Sequence, residues 1–134
     1  MNRSISTVIV ADPDPYYQQQ IAYLLREGFR CIPTGTLRET YHVLQRERPF
    51  MLLLELNQSD GDGMSLINLI KEDPALKPML IACVTARSGM MDKIRAFRAG
   101  VDDYLAKPIS HKTFYSQMLL LRRTGHMARS FATR

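Results

Sequence analysis

The sequence predicts one doubly wound α/β domain, a parallel sheet of five strands covered by helices on both faces. Three observations carry that expectation. Short apolar, β-branched runs alternate with amphipathic stretches five times along 134 residues. The connections are too short to separate domains, and the length suits one sizeable core. With no linker, low-complexity segment or internal repeat, residues 1–134 read as one domain, its core spanning about 7–121.

The first strand is TVIVA (7–11), apolar and β-branched as a strand buried on both faces must be. Asp14 and Pro15 then supply an N-cap and a first-turn proline. Tyr17, Ile21, Leu24 and Leu25 follow at helical spacing, and Gly28 is placed to end the helix as its C′ residue. FRCIP (29–33) is a second strand. Thr36 to Glu39 is a capping box whose helix turns Tyr41 and Leu44 inward. FMLLLE (50–55) is the third strand, and Met64 to Lys71 is a helix burying Leu66, Ile67 and Ile70. Asp73-Pro74 and Pro78 bracket a loop before the fourth strand, MLIACVT (79–85). Ser88 is expected to cap the next helix, with Met90, Ile94 and Phe97 on one face and Gly100 at its end. A short strand at Asp103–Ala106 stops before Pro108, and Ser110 caps a last helix that buries Phe114, Met118 and Leu121.

Composition narrows the class. Hydrophobic residues make up 46% and charged residues 23%, values of a globular chain rather than a disordered one. No apolar run approaches the roughly 18 residues of a membrane span, and MNRSIST shows no apolar stretch of a secretory leader. A cytoplasmic location with no membrane partner is the expectation. Cys31 and Cys83 lie in apolar surroundings without metal spacing and read as reduced core thiols. All 13 acidic residues fall within 1–103, so the net +5 belongs to the C-terminal segment. Residues 122–134 read as a basic helix extension or tail, either a solvated face or a docking surface for an acidic partner, nucleic acid included.

In open α/β sheets the functional crevice lies beyond the carboxyl ends of the strands. There the first strand delivers Asp12, Pro13 and Asp14, and the third delivers Glu55 and the loop LNQSDGDG. The fourth delivers Thr85, and the fifth delivers Lys107. Carboxylates, a hydroxyl and a lysine converging on one rim suit an anion together with a hard cation.

With VIVADPDP, LLLELNQSDGDGM, DPALKPMLIACVTA and FRAGVDDYLAKPIS in this order, the chain resembles the receiver domain of two-component response regulators over about residues 7–121. The resemblance implies a flavodoxin-like sheet of order 2-1-3-4-5. It also implies a strand-three aspartate that takes a phosphoryl group from a histidine kinase, with two further acids that help it hold Mg²⁺. A Thr or Ser and a Lys contact the phosphoryl oxygens, and an aromatic residue reports the switch. Thr85, Tyr104 and Lys107 match these positions, and Asp12 matches the first acid. The second acid is replaced by Pro13 and the phosphoacceptor by Glu55, while Ser59 replaces a customary loop proline.

These replacements govern what function is expected. Mg²⁺ requires near-octahedral oxygen ligands at about 2.0–2.1 Å, and Pro13 offers no side-chain oxygen. Asp14 reads more simply as the helix cap than as a surrogate ligand. Glu55 is one methylene longer than aspartate, and a misplacement of about 1 Å can cost about 10²-fold in a reaction that needs near-attack geometry. Mg²⁺ binding is therefore expected to be lost, with no metal or other cofactor and no enzymatic activity. Glu55 either mimics the phosphorylated state or forms an inert pair with Lys107. A mimic should turn the Thr85 hydroxyl towards Glu55 with Tyr104 inward, and an inert pair should leave Thr85 turned away and Tyr104 facing solvent; the extra length and lower charge favour an incomplete switch. Lys107, the only cation expected at the rim, should lie in ion-pair reach of Asp12 or Glu55.

Other motifs carry less. The twelfth position of a calcium loop counted from Gln58 would be Leu69, not Glu. Glycine turns and an Asp62 helix cap explain DGDG better. His42, His111 and His126 have neither metal spacing nor a nucleophile partner. The expected function is a phosphorylation-independent pseudo-receiver that works by contact with a signalling protein or histidine kinase. A homodimer is left open, as is a DNA-binding output domain in a longer parent. The alternatives are a conventional phosphoacceptor using surrogate acids and a nucleic-acid binder acting through the basic C-terminal segment.

Overall fold

The computed structural model describes residues 6–132, with side-chain surroundings given through residue 125. His126 and the basic side chains beyond it lie outside the described residues, as do residues 1–5 of the N-terminal stretch. The elements in chain order are β1 (Ser6–Ala11), α1 (Pro15–Leu25), β2 (Phe29–Thr34), α2 (Leu37–Glu47), β3 (Met51–Leu54), β4 (Asn57–Gln58) and β5 (Gly61–Asp62). There follow α3 (Gly63–Glu72), β6 (Leu80–Thr85), α4 (Met90–Ala99), β7 (Asp103–Ala106) and α5 (His111–Ala132).

The main sheet is parallel, in the order β2-β1-β3-β6-β7. It has the five expected strands in the expected order. The sequence reading missed β4 and β5, a two-residue antiparallel ribbon that pairs Asn57 with Asp62 inside the loop after β3.

Alternate residues of each central strand face opposite layers, as the two-residue period of a strand requires. Ile9, Leu52, Leu54, Ile81 and Cys83 pack with Val43, Leu66, Ile67 and Ile70 from α2 and α3. Val8, Val10, Met51, Leu53 and Val84 pack with Ile21, Leu25, Phe114, Met118 and Leu121 from α1 and α5. Each fully buried Leu or Ile contributes roughly 1.5–3 kcal/mol of transfer free energy, so the two layers hold the strand ends in fixed positions. Among the described residues no helix is long and apolar enough to cross a membrane. Burial pushes the Cys31 thiol up to about 11 and the Cys83 thiol up to about 12, which keeps both protonated at neutral pH.

The helix ends show where local reading succeeds. Asp14 accepts from the Tyr16 N–H at 2.9 Å and Asp62 from the Met64 N–H at 2.9 Å, so both cap as expected. Thr36 accepts from Glu39 N–H, although Glu39 reaches back to the N–H of Gly35 rather than of Thr36.

Three expectations need correction. Helix α1 is C-capped by Arg26, and Gly28 lies beyond the cap without a positive φ, beneath the Arg122 guanidinium. The N-cap of α4 is Gly89, with no side-chain cap bond, so Ser88 does not fill that role. Met90 is 71% and Phe97 45% exposed, and the buried residue of α4 is Ala96. The apolar pattern of this helix is turned partly outward because only a narrow stripe of it rests on the sheet. Gly100 closes α4 at φ 111°, a left-handed conformation that glycine adopts without strain.

Candidate functional site

The rim is built by extending the sheet's hydrogen-bond ladder one residue past each strand. Asp12 N–H donates to Thr34 O at 3.0 Å, Glu55 N–H to Ala11 O at 2.9 Å and Lys107 N–H to Thr85 O at 2.8 Å. Two glutamines stitch the same edge. Gln18 Nε2 donates to Asp12 O at 2.7 Å, and Gln58 Nε2 donates to Glu55 O at 2.8 Å and Ala11 O at 3.2 Å. Behind Glu55 the chain must pass very close. A Cβ on Gly63 would lie 2.9 Å from Leu56 Cα, so the start of α3 accepts only glycine there.

At the centre, Lys107 Nζ donates to Asp12 Oδ2 at 2.6 Å and to Glu55 Oε1 at 3.0 Å. The three side chains are buried, at 8%, 4% and 5% exposure respectively. The Tyr17 ring stacks over the ammonium with its centroid 3.9 Å away, a cation–π contact that covers the lysine from the α1 side. Asp12 Oδ1 accepts from Asp14 N–H at 2.9 Å. Glu55 Oε1 also accepts from Ala86 N–H at 3.2 Å, and Oε2 from Asn57 N–H at 3.1 Å. All four carboxylate oxygens thus accept a hydrogen bond. An open cleft of about 440 Å³ lies against this cluster and is lined by Asp12, Pro13, Tyr17, Glu55 and Lys107 among others.

The two carboxyls titrate differently. Burial works to raise Glu55, but the neighbouring Thr85 hydroxyl and the bonds from the Asn57 N–H and Lys107 outweigh it and hold the group below the usual glutamate range. For Asp12 burial prevails over the Lys107 and Asp14 bonds, and the pKa is raised. Burial would lower Lys107, but its bonds to Asp12 and Glu55 raise it, so the lysine stays charged.

Five of the six residues singled out from the sequence line or face this cluster: Asp12, Pro13, Glu55, Thr85 and Lys107. The sixth, Tyr104, joins through the loop between β6 and α4. Its ring is 7% exposed, and its hydroxyl donates to Arg87 O at 2.7 Å. The expectation of an outward Tyr104 is therefore overturned, while the Thr85 hydroxyl accepts from Arg87 N–H at 3.2 Å. The glutamate's extra methylene lets its carboxylate reach across the rim and accept from Ala86 N–H. Asp14 is occupied as a helix cap.

Two contributors had no local signal. Asp60 accepts from the Leu37 and Arg38 N–H groups at 2.8 and 3.0 Å, clasping the N-terminus of α2 across 23 residues of chain. Arg87 Nε donates to Asn57 Oδ1 at 2.7 Å and its Nη1 to Asp62 Oδ2 at 3.2 Å. Asn57 and Asp62 lie 30 and 25 residues from Arg87, so no local spacing marks the contact.

Comparison with known proteins agrees with this architecture. Residues 8–118 match the family described as response regulator receiver domain. The chain is 31% identical over 122 residues to the probable transcriptional regulatory protein TcrX of Mycobacterium tuberculosis, covering 89% of this chain and 51% of that protein. It is 31% identical over 124 residues to the transcriptional regulatory protein BasR of Escherichia coli, covering 92% and 55%. The chain thus spans about half the length of these curated relatives. Among solved structures, it superposes with a TM-score of 0.87 on a CheY-like response regulator receiver domain protein from Methanospirillum hungatei. The identity is 17%, covering 93% of this chain and 99% of that one, a likeness of fold. A putative LuxO repressor receiver domain from Vibrio parahaemolyticus gives 0.89 at 16% identity, covering 96% and 98%. The chain belongs to the response regulator receiver domain family of two-component signal transduction.

Proposed function

We propose that this receiver is closed by its own side chains and signals by protein–protein contact without being phosphorylated at the strand-three position. The observation that carries this reading is Lys107 Nζ bonded to both Asp12 and Glu55 at the rim. The ammonium occupies the charge-balancing position between the two carboxylates. A divalent cation placed there would have to displace it, and Pro13 would contribute no oxygen. The residues present do not fit Mg²⁺, so no cofactor and no catalytic step enter this reading. Glu55 acts as a partial phosphoryl mimic. One charge replaces about −1.5 to −2, and the bonds to Lys107 and Ala86 draw the β6–α4 loop towards the rim, where Arg87 holds the inward Tyr104. The inward Tyr104 favours this signal-like state over an inert pair.

The partner is a signalling protein or a histidine kinase in the cytoplasm. The relatives' names speak of transcriptional regulation, and the chain spans only about half their length. Control of a DNA-binding output in a longer parent is therefore the alternative route to nucleic acid.

The test is intact mass after incubation with a small-molecule phosphodonor and Mg²⁺. The mass should be unchanged. A stoichiometric, base-labile phosphate adduct would overturn the reading and show that a surrogate acid accepts the phosphoryl group.

A further inference from the structure

Arg87 is the charged residue of the short β6–α4 loop (86–89), and its backbone and side chain do separate jobs. The backbone N–H donates to Thr85 Oγ1 at 3.2 Å, and the carbonyl accepts the Tyr104 hydroxyl at 2.7 Å. One peptide segment therefore links the rim hydroxyl to the inward ring. The guanidinium, at 24% side-chain exposure, bridges three separate elements. It donates through Nε to Asn57 on β4 at 2.7 Å and through Nη1 to the α3 cap residue Asp62 at 3.2 and 3.3 Å. Its Nη1 also lies 4.0 Å from Asp92 in the first turn of α4. Helix α4 has no side-chain cap of its own and buries only Ala96.

We propose that Arg87 is an internal latch: its guanidinium clamps the β6–α4 loop to the β4–β5 ribbon and so holds Tyr104 inward with no phosphoryl group on the rim. The physical argument is one of placement. The Thr85 and Tyr104 hydroxyls reach the same residue only while that residue's backbone stays over the sheet edge. A planar guanidinium anchored on Asn57 and Asp62 restrains that backbone directionally, which a single point charge would not do. Charge-assisted bonds are roughly twice as strong as neutral ones, and with Asp62 53% exposed the ionic part of the clamp weakens as salt rises. The latch rests on the phosphorylation-independent reading above and supplies its regulation. Whatever draws Asn57 or Asp62 away from Arg87 releases Tyr104.

The test uses the full 134-residue chain labelled with 3-fluorotyrosine. The Tyr104 resonance is identified by its loss in Tyr104→Phe. In the wild type, without metal or phosphodonor, that resonance should show a small solvent-isotope shift. In Arg87→Ala the shift should rise to the value of the exposed tyrosines Tyr16 and Tyr23, each 62% accessible. Amide exchange across residues 86–92 should rise about tenfold or more, while β1 and β3 are unaffected. Arg87→Lys keeps the charge and loses the fork, and should fall between the two. Asn57→Ala removes an exposed partner and keeps the backbone N–H that Glu55 needs, so it reports on the latch even if Arg87→Ala fails to fold. A Tyr104 resonance that stays shielded in Asn57→Ala and in Arg87→Ala, with loop exchange unchanged, overturns the latch. A phosphate adduct on the wild-type chain would instead overturn the phosphorylation-independent reading, a separate measurement with a separate outcome.

Discussion

Helices α3 and α4 are both ten residues long and neighbours in the structure, yet they are held in opposite ways. Helix α3 buries Leu66, Ile67 and Ile70 and is capped by Asp62. Helix α4 buries Ala96, carries no side-chain cap, and leaves Met90, Met91 and Phe97 exposed. The first is fixed by packing, which a small polar change at the rim cannot disturb. The second buries far less, and its N-terminal turn meets the Arg87 guanidinium through Asp92 at 4.0 Å. An element held in that way responds to a change of a few hydrogen bonds, and this is what a signalling surface requires.

The largest effect should come from attacking the packed helix. Ile67→Ala removes a fully buried side chain and should cost about 3–4 kcal/mol in urea unfolding, with the inward Tyr104 preserved in the folded fraction. The comparison fails if this change frees Tyr104 before it lowers the unfolding midpoint.

A smaller effect, on the order of 1–3 kcal/mol, should come from the rim. The folded-state pKa of Glu55 is held below the ordinary value of 4.5, so its ionised form contributes stability that is present above that pH. That contribution is lost as the pH falls through the folded-state value. The raised pKa of Asp12 acts in the opposite sense, its ionisation costing stability at neutral pH, a cost that eases on acidification. The raised pKa of Lys107 gives stability that is full below 10.5 and fades as the pH climbs past its folded-state value. Glu55→Gln should therefore flatten the loss of stability below about pH 4.5 and leave Lys107 paired with Asp12. A wild-type acid limb that survives unchanged in Glu55→Gln would mean that another group carries it.

The smallest effect should come from the outer face of α4. Phe97 is 45% exposed, and Phe97→Ala should change stability by no more than about 0.5 kcal/mol. A loss of several times that size would show that α4 is held by packing after all.

The same contrast explains what was legible in the sequence. The strands and the caps at Asp14, Thr36 and Asp62 are local signals, written within three residues of the groups they serve. The convergence of Asp12, Glu55, Thr85 and Lys107 follows from strand-end positions once the alternation of elements is recognised. Where packing did not decide, local reading misled. In α4 the apolar spacing of Met90, Ile94 and Phe97 suggested a buried face, but the helix touches the sheet through Ala96. The reach of the Glu55 side chain depends on the Ala86 N–H that donates to it, a group 31 residues away that no local pattern reveals. Asp60 on the α2 N-terminus and Arg87 on the ribbon join residues 22 to 30 positions apart, and only the folded chain brings them together.

If the signal-like arrangement is intrinsic to the chain, it owes nothing to phosphorylation. Amide exchange of residues 63–72 and 86–99, followed with and without a small-molecule phosphodonor and Mg²⁺, tests it most directly. Strong protection in α3, weaker protection in α4, and superimposable profiles in both conditions are expected. Protection of residues 86–92 that arises only when donor and Mg²⁺ are present would contradict it.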